Sequence, residues 1–242
     1  LLYKFNELKM ETKNKSKNYG NIPPKNGIIT TSDFFEKMQK NPKATVYSRI
    51  NSLLKRGMIQ KIGRGKYKYG KTNEFELPIE QRMIFVYQLI TDMFPYLKLC
   101  VWNLSVINLF SNNLINYNLL IIDVEKDAVD AVFFALKEKG YSVVTRDRMY
   151  DDLSEFNGYL FIRPLVTSAP LKLKDGIIIP KIEKLLIDIA FDKEFIAFQK
   201  SEIFNIYKEV FSNSTINESS LLRYASRKGK RVQTEELLKA IK

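Results

Sequence analysis

The stretch MIQKIGRGKYKYG, residues 58–70, decides how the first part of the chain is read. Gly63 and Gly65 flank Arg64, and glycine supplies the backbone angles of a tight turn, so MIQKI and KYKYG become the strands of a hairpin. Strand alternation separates Lys66 and Lys68 from Tyr67 and Tyr69. The lysines, with Arg64 at the tip, then face outward and the tyrosines cover a core.

Before the hairpin, KATVYSRINSLLKR (43–56) carries a helical period, and at about 100° per residue Val46, Ile50, Leu53 and Leu54 share one face. The opposite face holds Ala44, Thr45, Ser48, Asn51, Ser52 and Lys55, with Tyr47, Arg49 and Arg56 on the flanks. Asn41 is the expected cap, with Pro42 in the first turn and Gly57 as the stop. IITTSDFFEKMQKN (28–41) predicts a short extended piece and then a helix entered at Ser32, with Phe35 and Met38 facing inward. Further upstream, Leu1, Phe5 and Leu8 predict an amphipathic helix to about residue 11, followed by a solvated lysine-rich loop over 12–27. Helix, short strand, helix, tight turn, helix and basic hairpin is the order of a winged helix-turn-helix.

Charge is distributed unevenly. Residues 1–71 hold 17 lysines and arginines against 4 carboxylates, net +13, while residues 72–242 hold 22 against 23, net −1. So basic a segment attracts polyanions, above all nucleic acid. On it, Lys43, Thr45, Ser48, Arg49, Asn51, Ser52 and Lys55 of the helix are the candidates for base edges and phosphates, and Arg64, Lys66 and Lys68 of the hairpin for phosphates alone.

The composition turns acidic at KTNEFELP (71–78), which sets the expected boundary between a 1–71 domain and a 72–242 domain. Helix is expected at 79–94, a strand at 97–102, a short helix at 104–112, and a buried strand at LLIIDV (119–124). DAVDAVFFALKEKG (127–140) is an amphipathic helix ending at Gly140. YSVV, GYLFIR and GIII are further strands. From Pro180 onward the pattern is helical, with Asn217 and Thr234 as expected caps. The fold class is α+β: a winged helix-turn-helix followed by a mixed α/β domain with a helical C-terminal tail.

Several chemistries are excluded. The chain has no histidine and one cysteine, Cys100, so imidazole catalysis, His-ligated zinc, multi-cysteine clusters and internal disulfides are out. Cys100 is expected to be a small buried hydrophobe. No run reaches the roughly 18–20 apolar residues of a membrane span, and LLYKFNELKM is too charged for a signal peptide, so a cytoplasmic address is expected. The first residue is not methionine, which leaves room for residues upstream.

IIDVEKD places Asp123 and Glu125 two apart at a strand end, the spacing with which nucleotidyltransferases hold magnesium. Such enzymes also need a glycine-containing phosphate turn, and CVWNLSVINLFSNN (100–113) has none. The favoured expectation is that both carboxylates are solvated strand-end residues or helix caps, with no cofactor, no metal and no enzymatic activity. The alternatives are a metal-dependent nucleotidyltransferase or nuclease using Asp123 and Glu125, or a ligand-sensing transcription factor. Near the C-terminus, RYASRKGKR sets Arg223, Arg227, Lys228, Lys230 and Arg231 together with no acid between them, a candidate surface for an acidic partner, RNA or DNA.

YSRINSLLKRGMIQKIGRGKYKYG, VWNLSVINLF with LLIIDVEKDAVDAVFFALKEKG, PKIEKLLIDIAFD and LLRYASRKGK, in that order, resemble the AbiEi-like antitoxins of bacterial type IV toxin–antitoxin systems. The similarity runs from about residue 28 through most of the chain, and the lysine-rich loop at 13–27 departs from it. The resemblance implies a winged helix that binds inverted repeats of double-stranded DNA in its own promoter, with residues 43–56 as recognition helix and 61–68 as wing. It also implies a second domain that counteracts a nucleotidyltransferase-type toxin. It carries over no catalytic residue.

Overall fold

The computed structural model describes residues 28–70, 73–111, 116, 118–148, 156–199 and 202–241. The expected helix at 1–11 and the loop at 12–27 lie outside them. The chain is α+β and divides between Thr72 and Asn73 into two compact units.

The first unit runs β1 (Ile28–Thr30), α1 (Thr31–Lys37), α2 (Lys43–Lys55), β2 (Ile59–Gly63) and β3 (Lys66–Tyr69). β3 lies between β1 and β2, antiparallel to both, with Ile29 opposite Tyr67 and Ile59 opposite Tyr69. Ile29, Phe34, Met38, Val46, Ile50, Leu53, Ile59 and Tyr67 form the core, in which Phe34 meets the Tyr67 ring edge-on at 5.9 Å. Phe34, rather than Phe35, is the buried phenylalanine of α1.

Two helix starts differ from expectation. Thr30, not Ser32, caps α1: its hydroxyl accepts from the Asp33 amide while the Asp33 carboxylate accepts from the Thr30 amide at 2.7 Å. The reciprocal box needs a carboxylate three residues after the cap; Asp33 supplies it for Thr30, whereas Ser32 would find Phe35 there. Before α2, Pro42 occupies the cap position without a side-chain hydrogen bond, and the Asn41 amide donates back to the Met38 carbonyl, closing the turn between the helices.

The second unit begins with α3 (Gln81–Met93) and β4 (Leu99–Asn103), followed by a single 3-10 segment at Leu104–Leu109. Next come β5 (Leu120–Val124), α4 (Val129–Glu138), β6 (Val143–Thr145), β7 (Leu160–Pro164) and a hairpin of β8 (Leu171–Lys174) and β9 (Ile177–Pro180). α5 (Ile182–Phe191), α6 (Glu202–Asn213), α7 (Glu218–Arg227) and α8 (Arg231–Ile241) complete it. The sheet order is β4-β5-β7-β6; β5, β7 and β6 are parallel and β4 is antiparallel on the edge. Every residue of β4 and β5 is buried, the signature of strands covered on both faces. α5 is buried over Ile182–Ala190 and forms the spine against which the C-terminal helices pack.

Asn217 caps α7, its side chain accepting from the Ser220 amide. Thr234 is not a cap. It lies inside α8, fully buried, and its hydroxyl donates to the Lys230 carbonyl one turn earlier, a back-bond open to threonine within a helix. Among the described residues no helix is long and apolar enough to cross a membrane.

Cys100 lies within β4 with no exposure, and burial pushes its thiol up from the ordinary value. The folded protein should therefore fail to react with a thiol reagent at pH 8 and should take up one equivalent after unfolding in guanidinium. Rapid labelling of the folded chain would contradict the burial of β4.

Candidate nucleic-acid interface

α2 has 13 residues, so at about 1.5 Å per residue it is roughly 20 Å long. Val46, Ile50 and Leu53 are buried and Leu54 is partly buried. On the other side Ala44, Thr45, Ser48, Asn51 and Lys55 are exposed, as is Lys43 at the start, while Ser52 is half-buried. Tyr47 is exposed and meets the Phe35 ring edge-on. Arg49 is half-buried, with an Nε that is buried and has no hydrogen-bond partner among the described residues.

The hairpin places Arg64, Lys66 and Lys68 outward, with Tyr67 buried and Tyr69 half-buried between them. Its tip is held: the Gly65 carbonyl accepts from the Thr31 amide at 2.8 Å and from the Thr31 hydroxyl at 3.4 Å. Gly65 sits at φ +67°, a conformation that favours glycine, and a Cβ there would press on the Thr31 hydroxyl oxygen at 3.1 Å. Thus the turn that carries Arg64 is anchored to the start of α1.

Residues 28–70 contain ten lysines and arginines against two carboxylates, net +8. One of the two, Asp33, is engaged in the α1 cap. Among the described residues no ion pair involves Lys43, Lys55, Lys66 or Lys68. The unit therefore presents a fixed positive surface, the chemical requirement for meeting a phosphate backbone. All ten residues expected to contact DNA lie on this one unit.

The other candidates lie in the second unit. Asp123 is not a solvated strand-end residue: it is 1% exposed and sits in a buried ionic cluster. Its carboxylate takes the Arg163 Nε at 2.5 Å, the Lys184 Nζ at 2.7 Å and the Trp102 Nε1 at 3.2 Å. Glu125 stands just beyond β5, exposed, with Lys98 beside it at 3.8 Å. The strand ends between them, so the pair does not form a joint site. Among the described residues no group of three or more His, Cys, Asp or Glu is arranged to hold a metal.

Arg163 is the centre of that cluster. Its guanidinium reaches Asp123, Asp188 at 2.5 Å, Asp192 at 3.0 Å and Glu194 at 3.2 Å, and it lies over the rings of Trp102 and Phe195. The Lys184 ammonium bridges Asp123 and Asp188, Lys228 bridges Asp188 and Asp192, and Arg146 closes on Glu194. Tyr224 donates to Asp188 at 2.9 Å. Four cations meet four carboxylates, so the cluster is neutral. Burial opposes the charge of Asp188, but Lys184, Arg163 and Lys228 overcome it and hold that carboxyl well below the ordinary range. Burial likewise opposes the Lys184 charge, and Asp123 and Asp188 more than offset it, raising the ammonium. Burial and then Asp188 push Asp192 up.

This cluster revises the basic patch expected near the C-terminus. Lys228 belongs to the cluster, Lys230 lies over the Phe191 ring, and Arg231 pairs with Glu235 one turn on. Arg223 and Arg227 remain exposed on α7. The reason is geometric: consecutive residues point in different directions around a helix and its end, so a run in sequence is not a surface.

These observations define an α+β protein whose first unit is a basic surface and whose second is a closed core locked by buried ions. Residues 45–242 match the model of DUF6577, a family of unknown function, and the chain belongs to that family. The match opens within α2 and continues through the hairpin and the second unit, so both units are parts of the family's chain. No curated protein matches it.

Replacing Arg163 by methionine would leave four buried carboxylates short of a cation and should destabilise the protein by about 3–5 kcal/mol, read as a lower urea midpoint. Asp188 and Glu194 are held below their unfolded values, so their contribution is present above about pH 4 and is lost as pH falls through the folded values; raised Asp192 acts in the opposite sense. Asp188→Asn should accordingly lower stability at pH 7 and flatten its acid dependence. An Arg163→Met protein with the wild-type midpoint would refute the central place of this residue.

Proposed function

We propose that the chain is a DNA-binding transcriptional autorepressor that serves as the antitoxin of a type IV toxin–antitoxin pair whose toxin is a nucleotidyltransferase. In this reading the first unit is a winged helix-turn-helix, with α2 as recognition helix and the β2–β3 hairpin as wing. The observation that carries it is the exposed polar face of α2 in the same small unit as a basic, anchored hairpin. Small hydroxyl and amide side chains along a helix suit base edges, and unpaired lysines beside them suit phosphates. The protein works in the cytoplasm on the double-stranded repeats of its own promoter, without cofactor or catalysis.

The antitoxin half rests on the sequence resemblance and concerns the second unit, whose exposed Arg223 and Arg227 are candidates for contact with the toxin or its RNA substrate. The competing enzymatic reading loses support because Asp123 is saturated by two cations and an indole N–H.

The test is an anisotropy titration of the full chain on the duplex upstream of its own gene and on a scrambled duplex, at two salt concentrations. Selective binding that weakens steeply with salt is expected. Replacing Arg64, Lys66 and Lys68 with alanine should weaken both duplexes alike and flatten the salt slope by up to about 3, whereas Ser48→Ala with Asn51→Ala should erase the preference between them. Wild-type behaviour of both variant sets would show that this surface does not bind DNA. Co-expression should relieve the growth arrest caused by the nucleotidyltransferase encoded beside the gene; persistent arrest would remove the antitoxin half.

A further inference from the structure

The exposed face of α2 also specifies which bases it can read. Ala44, Ser48, Asn51 and Lys55 follow one another at spacings of four, three and four, so at about 100° per residue they fall within roughly 60° of one another, and all four are exposed. Thr45, also exposed, borders this stripe. These are the side chains that would look into a groove if the helix lay in one.

The bases of the major groove differ in what they ask of a side chain. Guanine is read by a bidentate arginine or lysine, cytosine by a carboxylate, adenine by the amide of Asn or Gln, and the thymine methyl by an apolar contact. α2 has no acidic residue, so it lacks the carboxylate that singles out cytosine. The arginines of the unit stand off the stripe: Arg49 is half-buried on the flank, Arg56 caps the end of the helix, and Arg64 is at the hairpin tip. Lys55 is on the stripe but is the last residue of the helix, one turn beyond Asn51, where a helix entering the groove by its N-terminal end has turned away from the base edges. Its ammonium is placed for phosphate. Lys43, exposed in the first turn, lies about 80° beyond the Asn51 edge of the stripe, on the side away from Thr45, and is likewise placed for phosphate. That leaves the Ala44 methyl, the Thr45 methyl, the Ser48 hydroxyl and the Asn51 amide as base-facing groups.

We infer that α2 reads A·T pairs, with the Asn51 amide on the N6 and N7 edge of an adenine and the Ala44 or Thr45 methyl against a thymine methyl. This rests on the DNA-binding reading above and gives it a sequence class. Asn51 is the specificity-determining residue; Ser48, which can donate or accept, adds affinity without choosing a base.

The test is selection of duplexes from a randomised pool by the full chain, followed by titration of the enriched half-site. Enrichment of an A·T pair is expected, and its exchange for G·C should cost about 5- to 150-fold in affinity. Purine in place of that adenine removes the N6 amino group and should weaken the wild type but not Asn51→Ala. Asn51→Ala, a change at an exposed position, should bind the A·T and G·C versions equally. A selected site built on G·C pairs, with the preference intact in Asn51→Ala, would overturn the inference and leave the DNA-binding reading standing. Failure to enrich any site, with equal weak binding to all duplexes, would overturn the reading itself and the inference with it.

Discussion

Arg163 is the residue on which the second unit turns. It stands next to last in β7, within the parallel part of the sheet, and its guanidinium holds Asp123 from β5, Asp188 and Asp192 from α5 and its end, and Glu194 from the 3-10 segment Lys193–Phe198. Lys228 at the end of α7 and Lys184 within α5 complete the same assembly. Bringing these charges together is costly, since all of them but the half-exposed Arg146 must largely leave water. What makes it tolerable is the count of four against four and the hydrogen bonds that saturate Asp188, which accepts from Arg163, Lys184, Tyr224 and Lys228. The cluster adds to the apolar packing of α5 a penalty against any other register, because a shift would leave a buried charge without its partner.

The first unit uses charge in the opposite manner. Among the described residues its core is eight apolar side chains, while its cations other than the half-buried Arg49 are exposed with little acid near them in sequence. Such self-repulsion works against the folded unit, and salt or a bound polyanion relieves it. The anchoring of the hairpin tip through Gly65 and Thr31 fits that use. It fixes the basic turn before any partner arrives and so lowers the ordering cost of binding.

Sequence patterns made some of this legible and not the rest. The hairpin, α2 and the apolar strand LLIIDV are local: a glycine-framed turn, a 3.6-residue period and a continuous apolar run report on neighbours in the chain. Helix caps were less secure, because Thr30 was chosen over Ser32 by a residue three positions on, and Thr234 was drawn into a helix by the packing around it. The ionic cluster has no such local signature. Its members span positions 123 to 228 and meet only when the sheet is assembled. Two traces of it stand in the sequence nonetheless: Lys184 and Asp188, four apart in a helix whose remaining residues are apolar except Glu183, and Arg163 at the end of the apolar run YLFI. Charges inside such segments are seldom buried unless paired, so each announced a partner elsewhere.

The position of Lys184 bears directly on what the second unit can do. Its ammonium lies 2.7 Å from Asp123 and 2.6 Å from Asp188, between two carboxylates that would otherwise repel each other. A divalent cation could enter there only by displacing that ammonium, and the adjacent guanidinium of Arg163 would then oppose it at close range in a medium of low dielectric. Moving Lys184 is not a local matter either, since it belongs to the buried face of α5 and its departure would expose the core to water. The carboxylate that most resembles a catalytic residue in sequence is therefore committed to holding the fold together, and the excess positive charge lies on the first unit.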